Sequence, residues 1–346
     1  MISKNITYYR LKKGLTQREL SEAVGVTPMA ISNYEKGLRM PDLTMSRKLA
    51  DALDTNLAGL MASGSEEHQF VHCEFRKMAR FSKSNQEYVR SSVETYLGRF
   101  FMVTDRLGQA VLREAPVCHV LEPTMDAERD AQQLRECLGF ASEGPIPNLI
   151  GALENKGVLI YLFEYDNDQF SGMNGTVDGR PYIMINSKMT AERQRSTLIH
   201  ELAHVFFKVP KEEDAAWEKH MNAVSGAFLF PKEDAFNELG VRRHAVTGDM
   251  VMVAKEYGIS LQMLAKRAHV LKILDDAAYR AFNIQVNKIG WRKNEPERIP
   301  KEKTNLFRQL VLRAVSEEEL SISKGAELLQ VPVVEIRQML SVEGAF

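Results

Sequence analysis

A mostly helical α+β fold is what this 346-residue sequence predicts, and three observations predict it. Short amphipathic stretches with capping residues at their ends fill the beginning of the chain. Two β-rich runs, GVLIYLFEY (157–165) and RPYIMINS (180–187), stand close together near its middle. Beyond them the apolar spacing returns to the helical period. The expected architecture is a five-helix N-terminal domain, a domain whose small β-sheet packs on a long helix, and a helical C-terminal extension.

The bulk numbers narrow the class. The length allows two or three compact units. A composition of 44% hydrophobic and 26% charged residues is that of a globular chain. The net charge of −1 gives no whole-chain attraction to nucleic acid or membrane, but residues 1–62 hold nine Lys/Arg against six Asp/Glu, a surplus of +3 where a DNA reader needs it. Cys73, Cys118 and Cys137 are odd in number and widely spaced. That argues against a disulfide scaffold or a thiolate zinc site and for a reducing compartment. No apolar run reaches the roughly 18 residues a membrane span needs, and no signal-peptide core opens the chain, so a cytoplasmic protein with no membrane partner is expected.

Within the five-helix domain expected over residues 1–62, four helices can be placed. ITYYRLKK is a first helix with Ile6, Tyr9 and Leu11 facing inward. In TQRELSEAVGVTPMAISNYEKG, Thr16 caps a helix and Glu19 completes a capping box. Gly25 ends that helix in the left-handed region, and Thr27-Pro28 restarts as cap and first helical residue. Two short helices across so tight a turn form a helix-turn-helix, with Ala23, Val26 and Ile31 suited to pack them together. A helix over about 43–53 follows. In such a unit the second helix enters the major groove of double-stranded DNA. Thr27, Pro28, Met29, Ser32 and Asn33 then face outward, and Gln17, Lys36 and Arg39 are placed for phosphates or base edges. One domain of this size makes few phosphate contacts, so a homodimer on a two-fold operator is expected.

SGSEEHQ (63–69) reads as a linker. Residues 70–290 are expected to form the second domain, with a helical lead-in to about 138 whose stripe over 84–103 suits a core better than a dimer helix. Residues 291–346 form the helical extension. Two more segments, 254–268 and 322–340, read helix, tight turn, helix. Both lack a basic outer face, and Glu327 and Glu335 stand where a DNA reader favours neutral or positive groups, so both are read as structural.

The stretch RQRSTLIHELAHVFF (193–207) carries the chemistry. On a helix capped by Thr190, His200 and His204 lie four apart and project from one face, so both can offer a ring nitrogen to one zinc ion. Glu201 points beside them, where it can take a proton from an activated water and pass it to a leaving amine. This is the H-E-x-x-H spacing of metallopeptidases. A third ligand is expected from the helix over 211–230, which carries Glu212, Glu213, Asp214, Glu218, His220 and Asn222. Glu218 and Asn222 share a face while His220 lies about 200° around from Glu218, so one face alone can meet the metal. Glu218 and His220 are the alternatives.

The block GPIPNLIGALENKGVLIYLFEY…GRPYIMINSKMTAERQRSTLIHELAHVFF…WEKHMNAVSGAFLFP resembles the ImmA/IrrE metallo-endopeptidases over roughly 130–270. The string T-Q-x-E-L…G-V…I-S-x-Y-E-x-G-x-x-x-P resembles the XRE/Cro–C1-type helix-turn-helix regulators over 5–60. The first resemblance implies a zincin-like domain, zinc at His200 and His204, Glu201 as general base, and a glutamate from the following helix, which favours Glu218. The run Met221-Asn222-Ala223-Val224-Ser225 departs from that family's usual one, and His220 stands near where some members place an acid. Together the resemblances imply a DNA-binding regulator fused to a narrow-specificity zinc endopeptidase, which cleaves a repressor protein, or itself, to control stress or mobile-element genes. The rival readings are a non-catalytic transcription factor whose zinc domain senses a ligand or is structural, and an antitoxin-like component.

Overall fold

The computed structural model describes residues 2–61, 68–72, 81–209 and 215–341. Most of the expected linker 63–69, together with Cys73, Glu212, Glu213 and Asp214, lies outside them. In chain order come α1 (Ile2–Lys12), α2 (Gln17–Val24), α3 (Pro28–Glu35), α4 (Leu43–Ala52), α5 (Leu57–Met61), a short strand β1 (Phe70–His72) and the long α6 (Lys83–Leu107). Next are α7 (Ala127–Cys137), α8 (Leu149–Glu154), β2 (Leu159–Phe163), β3 (Gly172–Val177), β4 (Arg180–Asn186), α9 (Ala191–Phe206) and α10 (Ala215–Leu229). The chain ends with α11 (Lys232–Leu239), α12 (Gly248–Tyr257), α13 (Leu261–Val270), α14 (Asp276–Lys288), α15 (Trp291–Asn294), α16 (Leu306–Ser316), α17 (Ile322–Leu329) and α18 (Val333–Leu340). Among the described residues no helix is long and apolar enough to cross a membrane.

Two compact units result, Met1–Leu112 with Leu306–Phe346, and Arg113–Asn305. In the first, Ile6, Leu20, Ile31, Leu49 and Leu60 are fully buried and hold α1–α5 around one core. The expected cap is built: Thr16 Oγ1 accepts from Glu19 N–H at 3.1 Å, and Thr16 N–H donates to the Glu19 carboxylate at 2.7 Å. Gly25 sits at φ 75°, ψ 40°. Ala23 is solvent-exposed rather than packed, because Leu20 and Val24, four apart, already define the inner face of α2.

The helix α6 is the spine of this unit. Its stripe Val89, Val93, Tyr96, Leu97 and Phe100 is buried. Tyr88 stacks on Tyr8 of α1 with ring centroids 6.2 Å apart, while Tyr96 and Phe100 hold Phe307 of α16 at 5.4 and 5.7 Å. The last three helices therefore belong with the N-terminal unit. An apolar stripe shows that a helix is buried but not against what, so the sequence alone attached α6 to the chain that follows it.

In the second unit the strands run in the order β3-β4-β2, with β2 parallel and β3 antiparallel to β4. Tyr182 to Ile185 of β4 are 0–1% exposed, which explains an unbroken apolar run in place of alternation. The strand β3 was not foreseen, since Gly172, Asn174 and Gly175 give GMNGTV a poor β-propensity. Gly172 has a packing reason: a Cβ there would come within 3.0 Å of Met184 O and of Thr197 Cγ2 on α9. The α9 helix lies on this sheet, and α10 packs against α9 and α7.

Candidate metal centre and nucleic-acid surface

Burial fixes the roll of α9. Leu198, Ile199, Leu202, Ala203 and Val205 are 0–2% exposed, so His200 and His204 emerge on the remaining face. The helix start is held from afar. Thr190 has the extended backbone of a cap but makes no side-chain capping bond. The Glu297 carboxylate instead accepts from Ala191 N–H at 2.8 Å, and negative charge is favoured at a helix N-terminus. One turn before the motif, Arg195 pairs with Glu302 and donates to Ile146 O at 2.8 Å.

His200 and His204 turn their Nε2 atoms toward each other at 3.3 Å. Glu218 of α10 completes a triangle, with one carboxylate oxygen 3.2 Å from His204 Nε2 and the other 3.5 Å from His200 Nε2. Ser225 Oγ, two turns along α10, donates to Ser196 O at 2.7 Å and pins the two helices together on that face. His220 points the other way: its Nε2 is 2.7 Å from Asp130 on α7, a fully buried carboxylate that also accepts from Thr124. Of the two alternatives for a third ligand, Glu218 lies with the histidines and His220 does not.

Three ligand-type atoms without an intervening cation repel, or share protons, at such distances. A tetrahedral zinc with bonds near 2.0–2.1 Å places neighbouring ligand atoms roughly 3.3–3.4 Å apart. The 3.3 Å between the two ring nitrogens and the 3.2 Å from His204 Nε2 to one Glu218 oxygen fit that sphere, while the 3.5 Å contact of His200 Nε2 is to the other oxygen of the same carboxylate. The three side chains are 14–28% exposed, which leaves the group accessible from outside. Among the described residues it is the cluster of His, Cys, Asp and Glu able to hold a metal.

Glu201 stands beside the cluster, and Asn174 Nδ2 on β3 donates to its Oε2 at 2.7 Å. Asn174 is 8% exposed. The sequence reading missed it: no local pattern marks an asparagine in a Gly-rich stretch, and its position follows only from β3 passing under α9.

The candidate nucleic-acid surface lies on the first unit. Thr27, Pro28, Met29, Lys36 and Arg39 are exposed, Met29 by 68%, while Ser32 and Asn33 are half-buried. Thr27 Oγ1 caps α3 by accepting from Ala30 N–H at 3.2 Å. Gln17 is engaged locally, donating to the Glu35 carboxylate at 2.5 Å, and the buried Arg10 holds that same carboxylate. Gln17 thus braces α2 against α3, with its side chain turned to Glu35.

Comparisons with known proteins agree with this division. A helix-turn-helix family matches residues 6–60, and the IrrE N-terminal-like domain of the M78 peptidases matches residues 153–269, a span that contains His200, Glu201, His204 and Glu218. The chain is 30% identical over 113 residues to the uncharacterized HTH-type transcriptional regulator YqaE of Bacillus subtilis, covering 32% of this chain and 87% of that protein. It is 46% identical over 48 residues to an uncharacterized HTH-type transcriptional regulator of Methanothermobacter thermautotrophicus, covering 14% of this chain and 70% of that one. No solved structure matches.

Proposed function

The chain belongs to the HTH-type transcriptional regulators and carries an IrrE N-terminal-like peptidase domain, and from that premise we propose that it is a DNA-bound zinc endopeptidase acting on a repressor protein. The observation that carries this reading is the triangle of His200, His204 and Glu218 beside a glutamate oriented by its own hydrogen bond. His200 Nε2, His204 Nε2 and a Glu218 oxygen would hold the ion. Bound there, zinc would supply a Lewis acid that lowers the pKa of a bound water toward about 7 and polarises a peptide carbonyl.

The rest falls to side chains. Glu201 lies one residue from a ligand and outside the triangle, where its carboxylate can accept a proton from the attacking water and return it to the departing amine nitrogen. Asn174 occupies Oε2 of Glu201, which leaves Oε1 for that proton. The α3 surface would place the chain at an operator, as a homodimer on a two-fold site. Tethering then raises the peptidase concentration around repressors bound nearby, which is a physical reason for having both functions in one chain.

The test is to incubate the purified chain, with one equivalent of zinc, with a panel of helix-turn-helix repressors, and to follow the chain and each repressor by intact mass. Discrete cleavage by the wild type, absent in Glu201→Gln, is the expected result. Intact repressors and an intact chain after prolonged incubation of a zinc-loaded wild type would favour a non-catalytic regulator instead.

A further inference from the structure

The segment 321–340 repeats the backbone plan of residues 16–35 with a constant offset of 305 positions. Ser321 accepts from Lys324 N–H at 3.1 Å, as Thr16 accepts from Glu19 N–H at 3.1 Å. Each first helix, α17 and α2, has 8 residues. Each ends in a left-handed residue, Gln330 at φ 56°, ψ 41° and Gly25 at φ 75°, ψ 40°. Val331 N–H then bonds Ala326 O at 3.1 Å, as Val26 N–H bonds Ser21 O at 3.0 Å. Pro332 and Thr27 are extended, each second helix again has 8 residues, and Ile336 and Ile31 are both fully buried between the helices. Gln330 takes a left-handed conformation that disfavours a non-glycine residue, so the turn is imposed by the packing around it.

Geometry alone does not make a reader, and α12–α13 shows why. Gly258 at φ 63°, ψ 40°, Ile259 and the cap Ser260 form the same turn. Yet Leu261, Leu264, Ala265 and Ala268 are 0–4% exposed, and the Gln262 amide is spent on Trp291 O and Glu295 at 2.9 Å each. That second helix faces its own unit. By contrast α18 exposes Val334 by 58%, along with Arg337 and Gln338. At the offset of 305, Val334 falls on Met29, Arg337 on Ser32 and Gln338 on Asn33. Arg and Gln are the side chains that pair two-fold with guanine O6/N7 and adenine N6/N7.

In this register neither Glu327 nor Glu335 falls on an outward position of α3. Glu327 falls on Glu22, an exposed acid of the first motif that pairs with Arg18, and Glu327 likewise pairs with Lys324. Glu335 falls on Ala30, which is half-buried rather than at the outer surface. Residues 306–341 nevertheless hold four Lys/Arg against five Glu, so they have no net attraction for DNA of their own. They would act as a second contact once α3 has docked. Arg99 Nη1 on α6 donates to Leu328 O at 3.0 Å, which ties this motif to the same spine that carries α1.

We propose that residues 321–340 form a second DNA-contacting helix-turn-helix in which Arg337 and Gln338 of α18 read base edges beside the site bound by α3. This rests on the DNA reading of the first motif. The test is selection from a random duplex pool by the full-length chain. The wild type should enrich two unlike sequence blocks at a fixed spacing. The Arg337→Ala/Gln338→Ala variant should lose one block and bind the two-block duplex about tenfold or more weakly, with the other block kept. Met29→Ala/Asn33→Ala should lose the complementary block. Arg337→Lys, which keeps the charge, should relax base preference in the α18 block while leaving the salt dependence unchanged. A single block that depends on α3 and is indifferent to α18 substitutions, in variants with wild-type thermal melting, would overturn the proposal while leaving the first motif intact. No enrichment at all by the wild type would overturn both.

Discussion

The triangle on α9 and α10 and the outer face of α3 rest on opposite physics. In the first, three side chains from two helices converge until their ligand atoms stand 3.2–3.5 Å apart, largely withdrawn from solvent. In the second, a short helix spreads side chains outward, Met29 at 68% exposure among them, and each would meet a different part of a partner. Convergence makes every member indispensable, because a coordination sphere short of one ligand is not two-thirds as good. A spread surface divides its energy, so each residue contributes a graded share.

Substitutions can break or sharpen that contrast. The largest effect is expected at Glu201: Glu201→Gln should slow peptide cleavage by about 100- to 10,000-fold while zinc content stays at the wild-type level. A comparable loss of zinc would place Glu201 inside the coordination sphere rather than beside it. Next comes Asn174→Ala, which removes the bond that orients Glu201; a fall of about 10- to 100-fold in kcat with KM little changed is expected, and Asn174→Asp should not rescue it.

On the reader surface the effects shrink. Lys36→Ala should weaken DNA binding by about tenfold and lower the slope of log affinity against log salt by about one. An all-or-none loss there would contradict the graded picture. Smallest is the capping box. Thr16→Ala should cost about 1 kcal/mol of stability in the first unit. The Thr16 backbone and hydroxyl hold the Glu19 carboxyl below the ordinary glutamate range. Its stabilisation is therefore fully present above that range and is lost as pH falls through the lowered value. The gap in thermal melting between wild type and Glu19→Gln should accordingly close in acid and persist at neutral pH.

What the sequence made legible follows from how local each feature is. That His200 and His204 share a face with Glu201 beside them needs only a helical period, so it could be read directly. The turn Gly25-Val26-Thr27 is equally local. The choice between Glu218 and His220 required the roll of α10 against α9, which the sequence limits to two faces without selecting one. Asn174 was hidden in a glycine-rich strand, and Glu297, which caps α9, lies 106 residues from the amide it accepts. The helix-turn-helix pattern of α17–α18 is visible in the sequence, whereas the register of Glu327 and Glu335 against Glu22 and Ala30 needs the structure. Attachment of α6 and of α16–α18 to the first unit could not be read at all, since buried stripes do not name their partners.

The central claim is that a metal ion joins α9 to α10. Elemental analysis of the full chain after zinc loading and extensive dialysis, run beside His204→Ala and Glu218→Ala, tests it most directly. About one zinc per wild-type chain and close to none in either variant is the predicted result. Equal zinc in all three, or none in the wild type, would contradict it.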